Sequence, residues 1–241
     1  MLFKTKGVVL HTLNYSENSI IIKAYTENDG LQSFIVKTGR SKKSPIKSGL
    51  FQPLSVLCME SYQSKNQGLH HIKEVSVAVQ LMNIYYDTRK SAIAFFIAEL
   101  LHKSLKEDSP NKDLFDFILK TVEIIDKTEE RIADFHLFFM IALSKHLGFF
   151  PRNNFDKQHS IFNMMEGCFQ EHLPEHSYYT DKIISEHLHL LLNTSFEKFS
   201  CIHLKSDIKK ELLNKIINYY CIHVHGFHSL NSHIVLEEVF N

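Results

Sequence analysis

Five cations fall within eleven residues: Lys37, Arg40, Lys42, Lys43 and Lys47. Such a cluster makes and breaks no bonds. Its chemistry is charge neutralisation: nucleic-acid phosphates attract Lys and Arg and release condensed counterions, largely without reading sequence. The competing role is a solvated surface loop, and the surrounding elements have to decide between the two. Tyr15, Tyr25, Phe34 and Tyr62 are candidates to stack on unpaired bases. Their competing role is the core.

Other constellations are weaker. The chain has 16 His, and His223-x-His225-x-x-His228 beside Cys221 is the most metal-like spacing. It lacks a further carboxylate or thiol at ligand spacing, so it reads as a polar helix end before a turn at Gly226. His187-x-His189 and His70-His71 carry less. No metal and no cofactor is expected. Neither G-x-x-x-x-G-K-[ST], H-E-x-x-H, G-x-S-x-G nor G-x-G-x-x-G occurs, and Glu129-Glu130 and Glu237-Glu238 read as solvated helix faces. No catalytic residues are expected, and the chain reads as a non-enzyme. The four cysteines, Cys58, Cys168, Cys201 and Cys221, form no C-x-x-C pair. With no apolar leader and no run of 18 apolar residues, a cytoplasmic location with reduced thiols and no membrane contact is expected.

The elements that must position the cations read as strands over residues 1–80. Val8-Val9-Leu10, Ile20-Ile21-Ile22 and Phe34-Ile35-Val36 are separated by Asn14 to Asn18 and by Asn28-Asp29-Gly30, the latter a hairpin signal. Two further runs, Pro53 to Tyr62 and Ile72 to Val79, bring the strand count to five, which suits a small barrel. The basic residues lie in a long polar connection, 37–49, between the third and fourth strands. Barrels of this kind host oligonucleotides, which favours the phosphate reading.

Beyond residue 80 the period changes to that of helices. Ile93, Phe96, Ile97, Leu100 and Leu101 define one, with Asp87 or Thr88 as cap. Leu114 to Ile125 and Phe135 to Leu147 define two more, the last closed by Gly148. Residues 151–180 lose periodicity, and helices resume near 181–193, 206–222 and 232–240. The expectation is an α+β multidomain chain. An N-terminal five-stranded OB-fold β-barrel (1–80) precedes an all-α C-terminal domain (81–241). Net charge is zero, but residues 1–80 hold ten Lys/Arg against five Asp/Glu, and residues 81–241 hold seventeen against twenty-two. A charged partner is therefore expected for the first part.

Several motifs carry a resemblance. They are Thr5-Lys6-Gly7-Val8-Val9-Leu10, Tyr15-Ser16-Glu17-Asn18-Ser19, Tyr25-Thr26 with Gly30, the basic Gly39 to Lys43, and Leu50-Phe51-Gln52-Pro53. Leu147-Gly148-Phe149-Phe150-Pro151 and Leu230-Asn231-Ser232-His233-Ile234-Val235-Leu236 continue it. In this order and spacing the chain resembles the RecO family over nearly its whole length. The resemblance implies an OB-fold followed by a helical domain. It also implies a mediator of recombinational repair that binds single- and double-stranded DNA and anneals complementary strands. With RecR, such a mediator helps load RecA onto DNA coated by single-strand-binding protein (SSB). The partners implied are DNA, RecR, the acidic C-terminal tail of SSB, RecF and RecA, and the location is nucleoid-associated. Lys205, Lys209, Lys210 and Lys215 offer one place for that tail. The alternative is a protein-interaction module with an OB-like barrel that binds no DNA.

One departure stands out. Many members of the family carry a zinc-binding cysteine cluster after L-G-x-x-P. Here that stretch is Arg152-Asn153-Asn154-Phe155-Asp156, with only Cys168 beyond it. One thiol does not close a tetrahedral site. Packing of Phe149, Phe150, Phe155, Phe162 and Phe169 is expected to hold the segment instead.

Overall fold

Ile20, Ile22 and Ala24 are buried while Ile21 and Lys23 between them are only half-buried, the period of two that marks a sheet with one face on a core. The computed structural model describes residues 1–38, 46–63, 68–106 and 109–240. Five strands close a barrel: β1 (Leu2–Ser16), β2 (Ser19–Thr26), β3 (Gly30–Lys37), β4 (Val56–Tyr62) and β5 (Leu69–Val79), in the order β1-β2-β3-β5-β4. Strand β1 pairs with β4 through Leu2 to Val8 and with β2 through Gly7 to Ser16, so one long strand serves both sides of the closure. A short parallel pairing, Ser33 with Leu69 to Ile35 with His71, seals β3 to β5. Gly7 sits where β1 changes partners. A Cβ there would lie 2.8 Å from Met59 Cε.

Val9, Ile22, Phe34, Val36, Leu57 and Met59 fill the barrel, and Ile46 and Phe51 complete the same core. The turn at Asp29-Gly30 forms as its residues require. Gly30 has φ of +66°, and Thr26 Oγ1 accepts from the Asp29 amide at 3.2 Å and donates to the Gly30 carbonyl at 2.9 Å. The fourth strand starts at Val56 rather than Pro53. Leu54, fully buried with φ of +64°, turns the chain there while its amide bonds to Val9 O at 2.7 Å.

The chain divides into two compact units, Met1–Thr128 and Glu129–Asn241. The first takes in α1 (Thr88–Ser104) and α2 (Lys112–Lys127) as well as the barrel. Asp87 caps α1 through the Arg89 and Lys90 amides. Buried Asp126 accepts from the amides of Met82, Asn83 and Ile84 at 2.8–3.0 Å. Lys90, also buried, donates to the carbonyls of Asp126 and Thr128 at 2.8 Å. These bonds fasten the segment leaving the barrel to the end of α2.

The second unit is built around α3 (Phe135–His146), which is buried on nearly every side. Against it pack α4 (Lys182–Asn193), a 3-10 turn (Phe196–Cys201) and α5 (Ser206–His223), and α6 (Ser232–Phe240) is tied to α5 by the Lys210–Glu237 pair. The Tyr220 hydroxyl donates to Met140 O at 2.6 Å. This helical unit also holds a small sheet within 151–180, β7-β6-β8, from β6 (Ile161–Asn163), β7 (Cys168–Gln170) and β8 (Tyr179–Thr180). Strands of two or three residues are too short to show a period. Asn154 brackets the Phe169 backbone, donating to its carbonyl at 2.8 Å and accepting from its amide at 2.9 Å. Phe162 and Phe169 are buried, and Phe155 and Phe149 pack edge-on against Phe169 and Tyr220. Phe150 does not share this role, being 43% exposed.

Candidate nucleic-acid interface

Strand direction gathers the cations. Strands β1, β3 and β5 run one way and β2 and β4 the other. The ends at Ser16, Ser19, Lys37, Val56 and Val79 therefore share one end of the barrel. The Thr38 amide donates to Asn18 O at 2.9 Å, tying the exit of β3 to the β1–β2 turn. Thr12 Oγ1 donates to Phe51 O at 3.0 Å, tying the return segment to β1. Lys37 and Lys47 are exposed at this end, and among the described residues neither has an ion-pair partner. Arg40, Lys42 and Lys43 lie outside the described residues. The flanks of their segment are anchored, with Val36 and Ile46 both buried in the barrel core.

Two other cations of the barrel, Lys4 and Lys73, are spoken for. Glu60 pairs with Lys4 at 3.1 Å and Lys73 at 2.7 Å, and Lys73 also reaches Glu74 at 3.7 Å. The hydrogen bond from Lys73, then that from Lys4, hold the Glu60 carboxyl below its usual range.

The outer face of β1-β2-β3 adds an element absent from the expectations. Register sets Leu13 opposite Ile21 and Ile21 opposite Ile35, an apolar row of which Leu13 is 49% exposed. Two residues along on one side stands Lys37, and on the other the row His11–Lys23–Ser33. Each segment showed hydrophobic residues in the sequence, but the row exists only through pairing register. Of the aromatic candidates, Tyr25 and Phe34 are core and present no face to a base. Tyr15 is 64% exposed at the cationic end, whereas Tyr62 is exposed at the opposite end, across from Leu2.

His11 stacks on His102 of α1 with ring centroids 4.6 Å apart and planes 8° from parallel. Burial, then the charge of His11, lowers His102 to about 4, and burial with Lys23 lowers His11. Both rings are thus held neutral, and the row's cationic character comes from lysines alone.

The histidines and the cysteine near the C-terminus take other partners. His223 lies with Nε2 2.8 Å from Met164 O and stacks on Phe149, while Cys221 Sγ donates to His228 O at 2.9 Å. Among the described residues no group of three or more His, Cys, Asp or Glu is placed to hold a metal ion. His189 instead joins an amide network, 2.7 Å from Asn153 Oδ1 and 2.9 Å from Asn193 Nδ2. Glu129 and Glu130 are exposed. Three of the four lysines near α5 have partners: Lys209 with Asp134, Lys210 with Glu237, and Lys215 with the Tyr179 carbonyl. Among the described residues, no helix is long and apolar enough to cross a membrane.

Two family models account for the chain. The family described as "Recombination protein O N terminal" matches residues 1–80, and "Recombination protein O C terminal" matches residues 85–231. The chain is 33% identical over 241 residues to the protein named DNA repair protein RecO from Phocaeicola vulgatus. It is 36% identical to those of the same name from Flavobacterium psychrophilum, over 246 residues, and Bacteroides fragilis strain ATCC 25285, over 244. In all three cases 100% of both chains is covered.

Proposed function

Since the chain belongs to the RecO family of DNA repair proteins, we propose that it is a recombination mediator that binds single- and double-stranded DNA and anneals complementary strands. With RecR it helps load RecA onto SSB-coated single strands, and RecF and the SSB tail are further partners. Residues 1–80 act as the DNA-binding OB-fold domain and 81–241 as the helical domain. The protein works in the cytoplasm at the nucleoid, without catalysis. Lys37, Arg40, Lys42, Lys43 and Lys47 neutralise phosphates. The observation that carries this reading is the barrel end where exposed Lys37 and Lys47 stand without partners among the described residues, next to an apolar strand row.

The mechanism needs no reacting group. Complementary strands repel through their phosphates, and a cationic surface lowers that repulsion while water and partner bases still reach the strand. The apolar row lies on a strand face of the kind OB-folds use for oligonucleotides and offers bases van der Waals contact. The test is annealing of SSB-coated complementary oligonucleotides by fluorescence energy transfer, with and without RecR. Acceleration by the chain, increased or redirected by RecR, is expected. No acceleration, together with no salt-dependent DNA binding, overturns the proposal.

A further inference from the structure

A groove of about 360 Å³ opens on the same barrel end, beside the 3-10 turn Ser48–Leu50. Leu50, Val77, Val79 and Leu81 supply apolar wall. Gln52 and Gln80, both exposed, add amides, and among the described residues no charged one lines the groove. Tyr86 stands at its edge with 86% of its surface exposed.

The tyrosine is exposed yet firmly based. Its amide bonds to Asn83 O at 2.9 Å, within the turn whose amides Asp126 holds. Neighbouring Tyr85 is committed elsewhere, with its hydroxyl 2.9 Å from Ser55 Oγ and donating to Pro53 O at 3.2 Å. Tyr86 therefore presents a ring face that no described residue is seen to use. The turn walling the groove begins at Lys47, whose carbonyl accepts from the Leu50 amide at 3.2 Å. A cation without an ion-pair partner among the described residues thus lies three residues from the apolar wall.

We propose that this groove takes one unstacked base of a single DNA strand. The ring stacks on Tyr86, the base edge meets the Gln52 and Gln80 amides, and the adjoining phosphate meets Lys47. The inference rests on the DNA-binding reading of the barrel. The chemistry selects the ligand. Each Gln amide both donates and accepts, so either can serve the edge of any base. A neutral lining suits a base, and a cation just outside suits its phosphate. Bases in a duplex are stacked on both faces, so only a single strand has a base free to enter.

The test uses the full chain and oligothymidine carrying a single 2-aminopurine, whose emission is quenched by aromatic stacking. Wild type and Tyr86→Phe should quench it. Tyr86→Ala should lose the quench and bind single strands roughly 5- to 150-fold more weakly, with duplex affinity unchanged. Tyr86→Ala with undiminished quench and affinity overturns the inference and leaves the groove to a protein partner. An equal loss for single strand and duplex overturns it as well. Failure of the wild type to bind any DNA would instead remove the underlying reading, and a separate annealing assay reports on that directly.

Discussion

The double substitution K37Q/K47Q tests whether the two exposed lysines at one end of the barrel, unpaired among the described residues, meet phosphate. Each lysine that neutralises one phosphate of a single strand contributes about 0.7 to the slope of log affinity against log salt. With five phosphates met by Lys37, Arg40, Lys42, Lys43 and Lys47, the slope is about −3.5, and affinity falls about 130-fold between 50 and 200 mM salt. Removing two leaves a slope of about −2.1 and an 18-fold fall, roughly. Fluorescence anisotropy of a labelled oligothymidine across a salt series reads both numbers. The control is K4Q/K73Q, which removes the same charge from residues already committed to Glu60. Its slope should stay near that of the wild type. Lys37 and Lys47 are exposed, so unfolding midpoints of their variant should match the wild type, with changes within about 0.5 kcal/mol. Equal slopes for the two double variants, or no change from K37Q/K47Q, would show that Lys37 and Lys47 meet no phosphate.

Asp126→Ala strips three backbone amides of their acceptor and leaves Lys90 buried beside them. Urea denaturation should show a loss of roughly 3–5 kcal/mol, and a loss under about 1 would contradict the role given to Asp126. Burial pushes the Asp126 carboxyl up, but the Met82, Asn83 and Ile84 amides and Lys90 outweigh it and hold the carboxyl low. Its contribution is thus present above the ordinary carboxylate range and fades as pH falls through the lowered value. His136 runs on another window: burial, with Lys209 nearby, lowers it to about 3. The unfolded chain takes up a proton near pH 6.5 that the folded chain refuses, so stability should fall by about 1.4 kcal/mol per pH unit between there and pH 3. A His136→Leu protein should lose that share of the slope while the share of His102 remains, as followed by thermal melts across pH. Gly148→Ala meets only the strain of φ at +84°, about 1 kcal/mol, whereas Gly167→Ala also drives a Cβ to 2.8 Å from the Tyr219 hydroxyl, which donates to Phe149 O. Calorimetry should rank Gly167→Ala the more damaging.

What could be read from the sequence follows from range. β-Branched runs and Asp29-Gly30 announce strands and a hairpin because each signal lies within a few residues. Asp87 as a helix cap and Gly148 as a stop are local in the same sense. The start of β4 was not legible, since Leu54 adopts a left-handed conformation only because its amide and side chain are drawn into the barrel. The alignment of Leu13, Ile21 and Ile35 depends on register across three strands. Tyr25 and Phe34 look like Tyr15 in sequence, and only closure of the barrel turns them inward. The bracket of Asn154 on Phe169 joins residues fifteen apart through a side chain that imitates a strand. A lone asparagine carries no sign of that.

Charge counting has the same limit. Net charge is zero for the chain, and the excess in residues 1–80 is a sum over groups with different fates. Lys4 and Lys73 share Glu60, Lys103 pairs with Glu99 and Lys127 with Glu123. Each such pair is close to electrically silent beyond a Debye length of about 8 Å at physiological salt. The field that steers a polyanion comes from cations that no carboxylate answers; among the described residues of the barrel these are Lys6, Lys23, Lys37 and Lys47, and the two exposed ones, Lys37 and Lys47, share one end. A neutral protein can attract DNA if its acids pair with only part of its cations and leave the exposed remainder together. Moving a carboxylate, with no change in composition, should then alter binding: Ser19→Glu, opposite Lys37 in register, combined with Glu60→Ser keeps net charge at zero yet should flatten the salt slope by about one phosphate's worth.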